Sequence, residues 1–210
     1  MPCKINTFTL SESGKTMSTF QLYLQLGIEH IADIKGYDHI LFLITLCAVY
    51  QIKHWNKILI LITAFTIGHT TTLVLATFDW LRISSDWVEF LIPVTIFLTS
   101  VGNIFQQKTE FNKGMHIYKY LLALFFGLIH GLGFSNYLRM MLSEENSLAG
   151  PLFSFNLGIE AGQLIIVGGF LLLGILVMNI FKAKPREWNL VFSGAGFGVS
   201  LVLMIERFPL

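Results

Sequence analysis

The chain has 210 residues, 54% of them hydrophobic and only 13% charged, against about 25% charged in an ordinary soluble domain. A mean hydropathy of +0.66 excludes that class and points to a polytopic membrane protein whose main partner is the lipid bilayer. The net charge of +1 offers nothing to nucleic acid, and homo-oligomerisation is left open.

In chain order, residues 1–17 form a polar tail without the apolar core of a signal peptide. Residues 18–210 are expected to form one transmembrane helical domain. Within it, apolar runs predict six spans at roughly 37–51, 57–78, 86–107, 117–138, 151–181 and 188–206. A span needs about 20 apolar residues. The first run is short, so it must extend back into 29–36 or be helped by 18–34. The segment 18–34 carries Glu29, His30 and Asp33. It reads as an interfacial or half-inserted helix, or as a seventh span. The fold class is therefore all-α, a bundle of six spanning helices with that extra element. Cys3 and Cys47 lie on the tail and in an apolar run, and make no disulfide or zinc framework.

Basic residues orient the bundle. Lys53, Lys57, Lys108, Lys113, Lys119, Lys182, Lys184 and Arg186 fall on one set of loops or helix ends, and only Arg82, Arg139 and Arg207 on the other. The lysine-rich side is expected in the cytoplasm and the C-terminus outside.

Ionisable side chains inside a bilayer are costly and mark function. His39, His69 and His130 lie 12, 12 and 13 residues from the cytoplasmic ends of their runs. At 1.5 Å per residue each sits roughly 18–20 Å deep, in one layer. Glu160, nine residues after Pro151, is compatible with the same layer. Asn156, Glu160 and Gln163 make an i, i+4, i+7 polar stripe on one helix face. Glycines flank His130 (Gly127, Gly131) and Glu160 (Gly158, Gly162), and small residues let membrane helices approach closely. Taken singly, His69 or His130 could equally be a hydrogen bond between helices. Three histidines in a layer with Glu160 favour a site. Thr66 and Thr70 beside His69 orient the ring or satisfy carbonyls. Asp33 and Glu89 read as interfacial or as lining a path. His54 and His116, in basic loops, read as solvated. Ser135 is a weak nucleophile candidate.

Imidazole with carboxylate oxygen suits nickel, cobalt or zinc; magnesium and calcium want more oxygen. Carboxylates can also orient the imidazoles.

The motifs GYDHILF, TAFTIGHTTTL, VEFLIPV, GLIHGLGFS and FNLGIEAGQ, in that order, resemble the HupE/UreJ family over roughly residues 25–170. The resemblance implies a bacterial inner-membrane protein that handles a divalent cation as a nickel or cobalt permease. It maps the family's first-helix set onto His30, Asp38 and His39, the third-helix acid onto Glu89, and the HG motif onto His130 and Gly131. Ile31 stands where the family's H-P-x-x-G-x-D-H has proline, and two extra residues separate His30 from Asp38. On an unbroken helix His30 would lie about 13 Å from His39; a bend near Lys35-Gly36 would bring it in.

These readings lead to a permease whose metal candidates are His30, Asp38, His39, His69, His130 and Glu160, with Asp33, Glu89, Thr66, Thr70, Asn156 and Gln163 along the path. The alternative is an intramembrane zinc hydrolase acting on a lipid or peptide. There, a metal-bound water would be activated beside Glu160 or Asp38. A metal sensor or assembly factor is a third reading, for which the short loops offer little room.

Overall fold

A computed structural model describes residues 17–106, 113–142 and 147–209. Most of the polar tail, with Cys3, and the loop lysine Lys108 lie outside the described residues. The elements are α1 (Thr19–Ile31), α2 (Asp38–Cys47), a 3-10 turn (Ile52–His54), α3 (Trp55–Thr77), α4 (Ser85–Phe105), α5 (Lys113–Leu142), α6 (Ala149–Ile180) and α7 (Pro185–Glu206).

Five helices, α3 to α7, are long and apolar enough to cross a membrane. The expected first span is not one of them. Residues 37–51 form only the ten-residue α2, about 15 Å long, because Ala48–Gln51 leave the helix. α1 is also short, at 13 residues. It starts on a capping box in which Ser18 and Gln21 satisfy each other's backbone N–H groups. Between the two helices the chain turns at Ala32–Tyr37. Asp33 Oδ1 accepts from Lys35 N at 2.8 Å, an aspartate-led turn that competes with helix continuation.

Glycines decide two of the main packings. On α3 and α5, Gly68 faces the Leu124 carbonyl, Gly127 the Phe65 carbonyl and Gly131 the His69 carbonyl. A Cβ at any of them would overlap backbone that cannot yield, so only glycine permits this approach. The matching order of these contacts makes α3 and α5 parallel. Gly158 likewise faces Leu24 and Gly27, and Gly162 faces Ile28 and Ile31. Thus α1 runs parallel to the first half of α6. α4 pairs with α7, and α2 lies among α4, α6 and α7, with seven of its ten residues buried.

The bundle has two ends. Arg207 and the α3–α4 connection mark one, which also holds the break between α1 and α2. The lysines of the 51–57 and 182–184 segments mark the other.

Candidate metal centre

The break between α1 and α2 builds the site. The turn at Ala32–Tyr37 breaks the helix and brings His30 and His39 together, with ring centroids 4.6 Å apart. His69 of α3 stands 5.6 Å from His30 and 6.0 Å from His39. One ring nitrogen from each of the three lies within 4.8 Å of the others. His39 and His69 are buried, His30 half-buried. His130 of α5 is fully buried, 5.2 Å from His39 by centroid.

The unused atoms are the telling feature. His30 Nε2, His39 Nε2 and both nitrogens of His69 are buried without a hydrogen-bond partner. Buried polar groups normally have one, so such a group needs an explanation. His130 differs, because Thr95 Oγ1 lies 2.9 Å from its Nε2, and only its Nδ1 is unpartnered. Thr95 also donates to the Ile92 carbonyl at 2.7 Å, so it would accept from the His130 ring.

A cavity of about 330 Å³ opens onto the cluster from the break end, lined by His30, His39, Asp33, Asp38, Glu89 and Arg207 among others. It brings Asp33 and Glu89, whose role the sequence leaves open, to the histidines' doorway. Asp38 Oδ2 accepts from Arg207 Nη1 at 2.9 Å, while its Oδ1 is buried and unpartnered. Toward the lysine end the site is closed. Phe42 packs 4.9 Å from His130 and 4.9 Å from Phe65, and Phe126 lies behind Phe42 at 6.0 Å. All three are essentially inaccessible. Phe134 closes on His30 at 3.9 Å and stacks on Phe155.

Glu160 is not brought into this cluster. Gly158 and Gly162, each two residues from it, fix the α1-facing side of α6. At 100° per residue Glu160 points about 200° from either. Its carboxylate instead accepts from Thr63 Oγ1 at 2.9 Å. Gln163 Oε1 accepts from Thr66 at 2.8 Å, and Thr70 hydrogen-bonds Asn156. These six residues form a polar seam between α3 and α6. His116 is buried, not solvated, with Lys57 Nζ 2.7 Å from its Nε2. Ser135 donates to the Leu132 carbonyl at 2.8 Å and lines a separate cavity with Arg82 and Arg139.

Sequence reasoning passes over Thr95, Arg207 and the Phe42–Phe65 floor. Arg207 carries a signal, since the topology puts the end of α7 and the start of α2 at the same end. Threonine and phenylalanine are too common in membrane helices to stand out.

The donor set fits a first-row divalent ion. Three neutral imidazoles with carboxylates near by suit nickel, cobalt or zinc, and offer too little oxygen for magnesium or calcium. A family model described as HupE / UreJ protein matches residues 6–206, nearly the whole chain. The chain belongs to the HupE/UreJ family. No curated protein and no solved structure matches it. For a HupE/UreJ protein, metal transport is the family-level association, with nickel and cobalt as its cargoes. The all-helical fold and apolar helices agree with a multi-pass membrane protein of this kind.

Proposed function

We propose that this protein is a permease for a divalent transition-metal ion, nickel or cobalt first. The observation that carries the reading is the trio His30, His39 and His69, converging from three helices with unpartnered ring nitrogens. The lysine end faces the cytoplasm, and α1 and α2 together make up the sixth crossing. The ion is drawn from outside by the carboxylates of Asp33, Asp38 and Glu89 in the open cavity. It exchanges its water for the imidazoles of His30, His39 and His69. His130, held by Thr95, is a fourth donor once its ring turns. Discontinuous helices framing a site near mid-membrane are a recurrent transporter design. The Phe42–Phe65–Phe126 floor is the barrier of an outward-open state, and passage to the cytoplasm requires it to part.

That same floor favours one rival reading. A three-histidine zinc site with an open position and no inward route could activate water for hydrolysis. The two separate on flux. Proteoliposomes containing the protein should accumulate labelled nickel or cobalt, and the H39A/H69A variant should not. Equal uptake by wild type and variant sinks the permease. Metal-dependent release of acyl or peptide products without uptake would establish the hydrolase.

A further inference from the structure

We propose that Glu160 is a proton-binding site that drives transport, a role that rests on the permease reading and supplies its missing energy source. The chain shows no phosphate-binding loop for a nucleotide, so uphill movement must draw on an ion gradient or on a partner.

Glu160 lies 11 residues into α6 and Thr63 eight into α3. They are about 16 Å and 12 Å from opposite ends of the bundle, deep in the apolar layer. Their pair is the outer edge of the seam, whose Thr66 and Gln163 are buried. Thr63 is exposed and Glu160 half-buried, between the exposed Ile60, Ile67, Leu157 and Leu164. A carboxylate charge is expensive there, and such residues mark ion pathways. Among the described residues Glu160 has no ion pair. The face of α3 opposite it carries threonines. Its titratable residues, Lys57 and His69, are each six positions from Thr63, about 9 Å along the axis. Glu29 and His30 of α1 belong to the helix packed on the other side of α6. Asp38 and His39 of α2 face the metal cavity, and Lys53 and His54 sit on the turn at the lysine end.

The ligand is a proton rather than a sodium ion. Sodium needs a cage of oxygens, yet the Gln163 and Asn156 oxygens are already engaged by Thr66 and Thr70. Glu160 keeps a single hydroxyl partner. Above it, toward the break end, Thr70 and Asn156 continue the seam with groups that accept and donate. Below it on α6, Gln163 Oε1 is taken up by Thr66, and Leu164 and Ile165 face outward. Coupling follows from shared helices. α3 carries His69 and α6 holds α1, which carries His30. A change in the Thr63–Glu160 bond therefore acts on the two helices that set the distance between these ligands.

Two measurements test this. Dicyclohexylcarbodiimide, which attacks protonated carboxyls in apolar surroundings, is applied to the wild-type protein in bilayers, and the labelled peptide is found by mass spectrometry. Glu160 should be labelled, with labelling falling several-fold as pH is raised. In proteoliposomes, an imposed pH gradient should drive labelled nickel or cobalt uphill. E160Q, isosteric with the neutral acid, should lose at least about tenfold of that accumulation, while metal-for-metal exchange at equal pH persists. No labelling of Glu160 at any pH, or gradient-driven accumulation retained in E160Q, overturns the proposal. Labelling without any metal movement in wild type overturns the permease reading and leaves the proton site standing.

Discussion

Two buried polar clusters sit at opposite ends of α2, and they are built on opposite rules. At the lysine end the amide and guanidinium donors of Asn103, Asn189 and Arg186 all have a use. Asn103 Nδ2 donates to the Thr45 carbonyl at 2.7 Å, and Asn189 Nδ2 to the Asn103 carbonyl at 2.9 Å. Arg186 donates to the carbonyls of Asn103, Ile104 and Gln106 at 3.2, 2.5 and 2.6 Å. It thereby closes the end of α4, whose last carbonyls have no helical partner. At the break end the same helix carries His39 into a cluster whose ring nitrogens are left open. Both clusters spend polar groups inside an apolar bundle. Only the first recovers their desolvation from the protein itself. The second must recover it from something that arrives.

The sharpest way to break this comparison is to delete one member of each cluster and measure two things. His39→Ala should weaken nickel or cobalt binding by more than about 100-fold, because even residues that merely support metal ligands are worth 10–100-fold. Its thermal stability without metal should change little, since the His39 nitrogen it removes has no partner. Arg186→Ala should do the reverse. It frees three carbonyls and should cost about 2–3 kcal/mol of stability while leaving metal stoichiometry intact. Isothermal titration and thermal unfolding in detergent read both. Equal destabilisation by the two variants would make the histidines structural and remove the basis for a metal site.

The open cluster is largely legible in the amino-acid sequence; the fastened one is not. Counting residues from helix ends puts His39, His69 and His130 at one depth, and their rings do lie together. Depth is a one-dimensional quantity that rise per residue supplies. Azimuth is not, and there the expectation fails for Glu160. The glycines beside it set which way α6 faces, and so turn Glu160 away from the cluster. The first of the six expected spans is cut short at 37–51, because hydropathy does not register a helix that stops after ten residues and resumes nothing. The bend needed to recruit His30 is expected near Lys35-Gly36, and the turn occupies Ala32–Tyr37. Asp33, which directs it through the Lys35 amide, reads in the sequence only as a surface or path residue. The lysine-end cluster leaves no trace, since a lone Asn103 in an apolar run looks like any helix-bridging polar residue.

A smaller effect sharpens the comparison from the mouth of the open cluster. Arg207 occupies Asp38 Oδ2, and both side chains are mostly shielded. An incoming cation must compete with that guanidinium for the carboxylate. Arg207→Gln should raise the rate or affinity of metal binding by roughly 3–10-fold at low salt, with the gain shrinking as salt screens the cavity. The variant leaves a buried carboxylate unpaired, which is costly. Its unfolding temperature without metal should therefore fall, and added nickel should restore it by more than it raises wild type. A variant that binds metal no better and is not rescued by it would make the pair a mere fastening.

The smallest effect belongs to a polar group at the break end that owes nothing to metal. Asp79 stands in the left-handed region, at φ 63°, where aspartate is better tolerated than most side chains. Its carboxylate pairs with Arg82 and, at 3.0 Å, with Arg139 of α5. The hydrogen bonds from Arg82, with the nearby guanidinium charges, hold its carboxyl below the usual carboxylate range. A depressed folded value means the stabilisation is complete above the unfolded carboxyl's range, near pH 4, and is lost as pH falls through the folded value. The site is open to solvent, so screening keeps the contribution small. Asp79→Asn should thus lower the unfolding temperature slightly at neutral pH. The gap to wild type should close as the solution is acidified below that range, and metal affinity should be unchanged throughout. A metal affinity that tracked Asp79→Asn would mean the α3–α4 connection communicates with His69 along α3, and the separation between fastened and open polar groups would no longer hold at this end of the bundle.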